Sequence, residues 1–265
     1  MLRDITIGQY YPSNSVVHRL DPRVKIIGTL AYLVSLFLFD NFAGFIAVTV
    51  FLGCMIKVSK VPFRFMVKGL KSIMVLILVM VIFNLIFTSG TPLVSFWVIT
   101  ITVEGVKASV FMMIRLSYLI VGASLMTLTT TPNNLTDGLE KIMWPLRKIK
   151  VPVHEIAMMM SIALRFIPIL IEETDKIMKA QMARGADFET GNLIKKAKAM
   201  VPILVPLFVS AFRRANDLAL AMEARCYQGG EGRTRMKPLR YTQKDAVAYL
   251  VLAAYLVVVV FMGRL

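Results

Sequence analysis

Cysteine, histidine and acidic residues are all scarce in this chain, and each scarcity removes a class of function. Two cysteines, Cys54 and Cys226, are too few and too far apart for a disulfide framework. With only His18 and His154 beside them, no Cys/His cluster has metal-ligand spacing. Both cysteines read as free thiols facing a reducing compartment or lipid, and both histidines as satisfied or solvated. A Gly-x-x-x-x-Gly-Lys-Ser/Thr loop is absent, and Gly229, Gly230 and Gly232 follow a helix rather than opening one after a strand. The chain is therefore not expected to bind ATP. Paired carboxylates are missing too, because the adjacent Glu172 and Glu173 diverge on a helix. No catalytic residue and no cofactor or metal of its own is expected. Residues 1 to 21 carry Arg3, Asp4, Arg19 and Asp21 without an apolar core, so no cleavable signal peptide is read there.

What is abundant is apolar: 57% of residues are hydrophobic and only 18% charged, which places the chain among integral membrane proteins. The net charge of +15 could suggest nucleic acid, but the bases flank apolar spans, where cytoplasmic loops collect Lys and Arg. The lipid bilayer explains them, and no nucleic-acid partner is expected.

Residues 1 to 25 end in His18, Arg19, Arg23 and Lys25, which puts the N-terminus in the cytoplasm. Ile26 to Phe39 and Phe42 to Ile56 are uncharged and read either as two short spans in a hairpin or as one embedded unit with a re-entrant turn. The loop from Lys57 to Lys71 has five bases and no acid, the strongest cytoplasmic signal present. Ser72 to Phe87 is a third span. Leu93 to Val103, with Trp97, is too short to cross and reads as an interfacial or re-entrant piece at the outer face. The fourth span, Val106 to Leu128, contains Arg115, either functional or packed against protein; lacking an acidic partner inside any span, it is assigned a structural or snorkelling role.

After Pro132 the character changes. Residues 1 to 130 form an N-terminal membrane region of about four spans, 131 to 245 a cytoplasmic domain of coupling helices, and 246 to 265 a last transmembrane helix that leaves the C-terminus external. The whole is an all-α membrane protein with about five transmembrane helices. Two long amphipathic helices dominate the middle domain. The first runs from about Val153 to Arg184, about 45 Å if continuous, with a kink expected at Pro168; it is judged too charged to cross a bilayer. The second runs from about Val201 to Arg225. Their apolar stripes include Met158, Met159, Met160, Ile167, Leu204 and Phe208. A Met-rich stripe is either core packing or a surface that adapts to different partners. Arg213 and Arg214 are assigned to solvent or lipid headgroups.

Each long helix closes on a near-copy of one phrase: Gln181-Met182-Ala183-Arg184-Gly185 and Met222-Glu223-Ala224-Arg225-Cys226-Tyr227. Arginine near a helix end followed by glycine is an ordinary stop signal; its recurrence on two amphipathic helices of a membrane protein is not ordinary. The small alanine admits a close surface, and the guanidinium offers five donors suited to a carboxylate or to exposed carbonyls. The pairing resembles the transmembrane T component of energy-coupling factor transporters, in the ATP-binding-cassette class. Leu20-Asp21-Pro22-Arg23 and Gly229-Gly230-Glu231-Gly232-Arg233-Thr234 extend the likeness over most of the chain, while Cys226 stands where that family's pattern has glycine.

The resemblance implies that Ala183, Arg184 and Gly185, and Ala224, Arg225 and Cys226, dock into two ATPase subunits that bind ATP and magnesium. It implies that the apolar stripes meet an S component that captures a vitamin or other micronutrient. It also implies the plasma membrane of a prokaryotic cell. Two rivals differ in kind: a self-contained secondary transporter or channel would place ionisable groups face to face at mid-membrane, and a lipid-modifying enzyme would need catalytic residues that are not found.

Overall fold

The computed structural model describes residues 10–96, 99–188, 192–230, 236 and 238–263. They form eight α-helices and one β-hairpin: α1 Pro22–Ser35, α2 Phe42–Ser59, α3 Phe63–Phe87, β1 Pro92–Phe96, β2 Ile99–Thr102, α4 Val103–Thr129, α5 Pro132–Met143, α6 Val153–Ala183, α7 Leu193–Glu223 and α8 Gln243–Gly263. A 3-10 turn, Trp144–Ile149, links α5 to α6. Two compact units result. The described residues between Gly8 and Lys141 pack with those between Leu239 and Leu265, and the described residues between Ile142 and Pro238 form the other unit.

In the first unit, α1, α2, α4 and α8 share one core. Leu36, Val48 and Val259 are fully buried, with Phe39, Phe45, Leu125 and Tyr255 around them. The rings of Phe51 and Tyr255 stack at 4.0 Å, and Tyr32 joins them at 6.2 and 6.3 Å. Each polar tip in this core has a partner: the Ser35 hydroxyl meets Tyr255 Oη at 2.7 Å, and Tyr32 Oη donates to the Tyr118 carbonyl at 3.1 Å. A β-carbon at Gly122 would fall on the Tyr32 ring, so the approach of α4 to Tyr32 of α1 requires glycine there.

Among the described residues, four helices, α2, α4, α6 and α8, are long and apolar enough to cross a membrane, and α3, bent by 59° between Phe63–Lys71 and Ile73–Phe87, makes a fifth if counted as one span. The number agrees with the sequence reading, but the membership differs. Five of the seven charged residues of α6, Glu172, Glu173, Asp175, Lys176 and Lys179, crowd beyond Ile171, and the stretch before them, with Glu155 and Arg165, stays apolar enough to span. α1 is only 14 residues long. It is completed by the turn after it, in which Leu36, Phe37 and Leu38 donate to the carbonyls of Tyr32, Val34 and Ser35. Asp21 meets Asp245 at one end and Asn41 meets the Gly263 carbonyl at the other, so α1 and its turn run alongside the whole of α8.

The piece read as interfacial or re-entrant is an antiparallel hairpin in which Val94 faces Ile101 and Phe96 faces Ile99. Alternating β-branched residues favour a strand over a short helix; Trp97 lies outside the described residues. Thr102 closes the hairpin and opens α4. Its hydroxyl donates to the Thr88 carbonyl at 2.8 Å and accepts from the Gly105 amide at 3.1 Å.

Candidate coupling-helix ends

The two repeated phrases end their helices in the same way, hydrogen bond for hydrogen bond. At the end of α6, the amides of Arg184 and Ala186 both donate to the Gln181 carbonyl at 3.0 Å, and the Gly185 amide donates to Met182 at 2.9 Å. At the end of α7, Arg225 and Tyr227 donate to the Met222 carbonyl at 3.1 and 3.0 Å, and Cys226 donates to Glu223 at 2.9 Å. The bond from the sixth residue back to the first, enclosing one from the fifth to the second, is the Schellman ending, which needs a left-handed residue at the fifth place. Gly185 supplies it with φ +87°, and Cys226 supplies it with φ +54°. The cysteine at the place where glycine is expected therefore leaves the geometry of the second ending unchanged.

Ala183, Arg184, Gly185, Ala224, Arg225 and Cys226 are all exposed. Each ending thus presents a small residue, a cation and a bare turn of backbone. The helix dipole places partial negative charge there, which favours the neighbouring guanidinium. Cys54 and Cys226 are both free and exposed.

Between their apolar portions, α6 and α7 run antiparallel. Arg214 donates to Glu173 at 2.8 Å, and Gln181 Nε2 donates to the Pro202 carbonyl at 3.4 Å. The assignment of Arg214 to solvent or lipid headgroups is therefore replaced by an interhelical ion pair. Arg213 is exposed. The Gln181 contact follows from covalent chemistry: Pro206 has no N–H to offer the carbonyl four residues earlier, so Pro202 is left with an acceptor. Of the predicted apolar contacts, Met158 is half-buried, whereas Met159, Met160, Ile167, Leu204 and Phe208 are exposed, the last at 61%. Met200, Val201, Val205, Val209 and Phe212 extend that exposed apolar surface along α7.

Residues 13–236 match the family model of the cobalt transport protein, CbiQ. The chain is 57% identical over 252 residues to the energy-coupling factor transporter transmembrane protein of Clostridium kluyveri, covering 94% of this chain and 93% of that one. Against the protein of the same name in Bacillus subtilis it is 48% identical over 260 residues, covering 98% of each. The chain belongs to this family. It is a membrane protein of the energy-coupling factor transporter class.

Other residues of this transporter component acquire partners that its sequence did not reveal. Asp21 caps α1: its carboxylate accepts from the Arg23 amide at 2.9 Å and from the Arg23 guanidinium at 2.8 and 3.0 Å. Asp245, only 1% exposed, accepts from the Asp21 amide at 2.8 Å and from the Thr242 amide and hydroxyl at 2.7 Å. The Arg23 guanidinium lies 3.8 Å over the Tyr241 ring. The Leu20-to-Arg23 phrase is thus half of a clasp joining the starts of α1 and α8.

Arg115 has a partner too. It donates to Asp40 at 2.7 Å and to the Phe39 carbonyl at 2.8 Å, in the turn between α1 and α2, which fits the structural role. His18 is satisfied by the Ser15 hydroxyl at 2.7 Å and the Tyr11 carbonyl at 3.0 Å, and burial lowers its pKa. Among the described residues, no three His, Cys, Asp or Glu side chains gather as a metal site.

Proposed function

We propose that this chain is the coupling subunit of an importer, in which two ATPase subunits seat the ends of α6 and α7 and a separate S component rides on their apolar faces. The observation that supports this most is the identical termination of the two helices, with an exposed arginine on each. Two like plugs suit two like sockets. Closure of the ATPases on ATP and magnesium would shift one plugged end relative to the other. Helices tied at Arg214–Glu173 would pass that shift to the exposed apolar residues around Phe208 and Met159. The S component, moved in turn, delivers a vitamin or other micronutrient that this chain does not itself read. Coupling of this kind requires that the ATPase state change the affinity for the S component, and the reverse by the same factor.

In this reading ATP chemistry belongs to the partners and the chain is not an enzyme. We read the base-rich loop from Lys57 to Lys71 as cytoplasmic; with α1 and its turn crossing beside α8, both helices then start inside, and the C-terminus lies outside a prokaryotic plasma membrane. A secondary transporter is less favoured, since Arg115 is held by a turn rather than facing a relay.

The test is charge reversal. Losing one partner of a buried charge pair costs about 2 to 5 kcal/mol, so Arg184→Glu and Arg225→Glu should each weaken ATPase copurification and transport, and the double change should release both ATPases. Arg213→Glu, at an exposed site away from both ends, serves as the comparison and should matter much less. A double variant that copurifies and transports normally would falsify the plug reading.

A further inference from the structure

Inside the first unit lies a cavity of about 380 Å³, within the range of small-ligand sites. Its inner wall is closed by the buried Tyr32, Leu52 and Leu125. Its side toward the surface is lined by exposed residues of two helices, Cys54 and Val58 of α2 and Val247 and Val251 of α8. Along α8 the lining runs from Lys244 to Leu252, about 12 Å at the helical rise. That is less than half of a hydrocarbon core about 30 Å thick, so the cavity lies within one leaflet.

The two cations of the lining sit at one end. Lys25 and Lys244 both line the cavity where α1 and α8 begin. Lys25 is buried and donates to the carbonyls of His18 and Thr129 at 3.0 and 2.9 Å, which uses two of its three N–H groups. The nearby carboxylates do not occupy the remaining donor: Asp21 is taken by Arg23, and Asp245 by Thr242 and the Asp21 amide. An apolar slot one leaflet deep, with two cations at its basic end and their acids engaged elsewhere, has the shape and charge of a lipid with an anionic headgroup.

We propose that this cavity seats an acyl chain of an acidic phospholipid of the inner leaflet, with the phosphate held at Lys25 and Lys244. A water-soluble metabolite would find almost no polar groups to bind along the slot. A neutral lipid would bring no anion to the third Lys25 donor or to Lys244. The lipid would brace α1, α2, α4 and α8 where their own side chains leave the core unfilled.

The experiment uses the full-length chain in phosphatidylcholine nanodiscs carrying a phosphatidylglycerol with a photoreactive acyl chain. Cross-links should concentrate on residues 51–58 and 247–252, and unlabelled phosphatidylglycerol should compete where phosphatidylcholine does not. Lys244→Gln should lower the labelling about fivefold, the effect of one surface lysine on an anionic lipid. Gly28→Leu should abolish it by filling the slot, since a β-carbon at Gly28 meets nothing closer than Leu252 at 3.9 Å. Should that variant fail to fold, Cys54→Trp, at an exposed position of the lining, should block labelling from outside the core. The Arg184→Glu, Arg225→Glu double variant should retain full labelling, which separates this site from the ATPase reading. Equal competition by phosphatidylcholine, labelling spread evenly over α3, or no response to the blocking variants would overturn the proposal.

Discussion

Replacing the left-handed residue at each helix end separates backbone from side chain, because Gly185 and Cys226 hold one structural place with different residues. An ideal β-carbon on Gly185 meets nothing within 4 Å, so Gly185→Ala has no steric neighbour to offend. Its whole cost is the conformation at φ +87°. A left-handed conformation costs an L-residue roughly 1 to 2 kcal/mol, and the loss of glycine's freedom in the unfolded chain returns about 0.4 to 1 kcal/mol of that. The net is a destabilisation of about 1 kcal/mol, or about fivefold in a local opening equilibrium. Cys226→Gly runs the same comparison backwards and should stabilise its ending by a similar amount, while Cys226→Ala, which keeps a β-carbon, should change little. Amide hydrogen exchange reads this locally. Exchange at Gly185 and Ala186 should quicken about fivefold in Gly185→Ala, and exchange at Cys226 and Tyr227 should slow about fivefold in Cys226→Gly. If Cys226→Ala slows exchange as much as Cys226→Gly does, the sulfur side chain and not the backbone sets the difference, and the argument fails.

Further outcomes follow from the clasp and from His18. Asp245→Ala leaves two backbone donors and one hydroxyl without their acceptor; at about 1 to 3 kcal/mol for a buried unsatisfied group, it should lower the thermal midpoint in detergent far more than the exposed Arg213→Ala. An unchanged midpoint would remove the clasp from the account of how α8 is held. Burial lowers the pKa of His18, so the unfolded chain holds that proton more tightly: stability is complete above pH 6.5 and is lost as the pH falls below it. His18→Gln should flatten that acid limb, and an unaltered limb would show that another group governs it.

Features set by short-range pattern were legible in the sequence, and features set by long-range pairing were not. The apolar runs of α2, α4 and α8 declare themselves because the bilayer demands about 20 apolar residues in a row. By contrast, the partner of Asp21 lies 224 positions away and that of Arg115 lies 75 away. No local spacing encodes either. No acid shares a span with Arg115; its partner Asp40 sits in the turn between two spans. In α6 the total charge argues against a span, although the crowding of charge beyond Ile171 is what leaves the first half apolar.

Cys226 carries the argument one step further. Its residue type marked a departure from the repeated phrase, because residue type reports φ only as a preference, and cysteine rarely takes the left-handed region. The backbone shows the opposite: the same three donors return to equivalent carbonyls at both ends, with Cys226 holding the conformation that glycine would adopt more cheaply. A conformation kept where the residue disfavours it must be held by its surroundings, and here those are the hydrogen bonds of the ending itself. The two helix ends are therefore alike in the property a docking surface would read, which is the placement of an arginine beside an exposed left-handed turn.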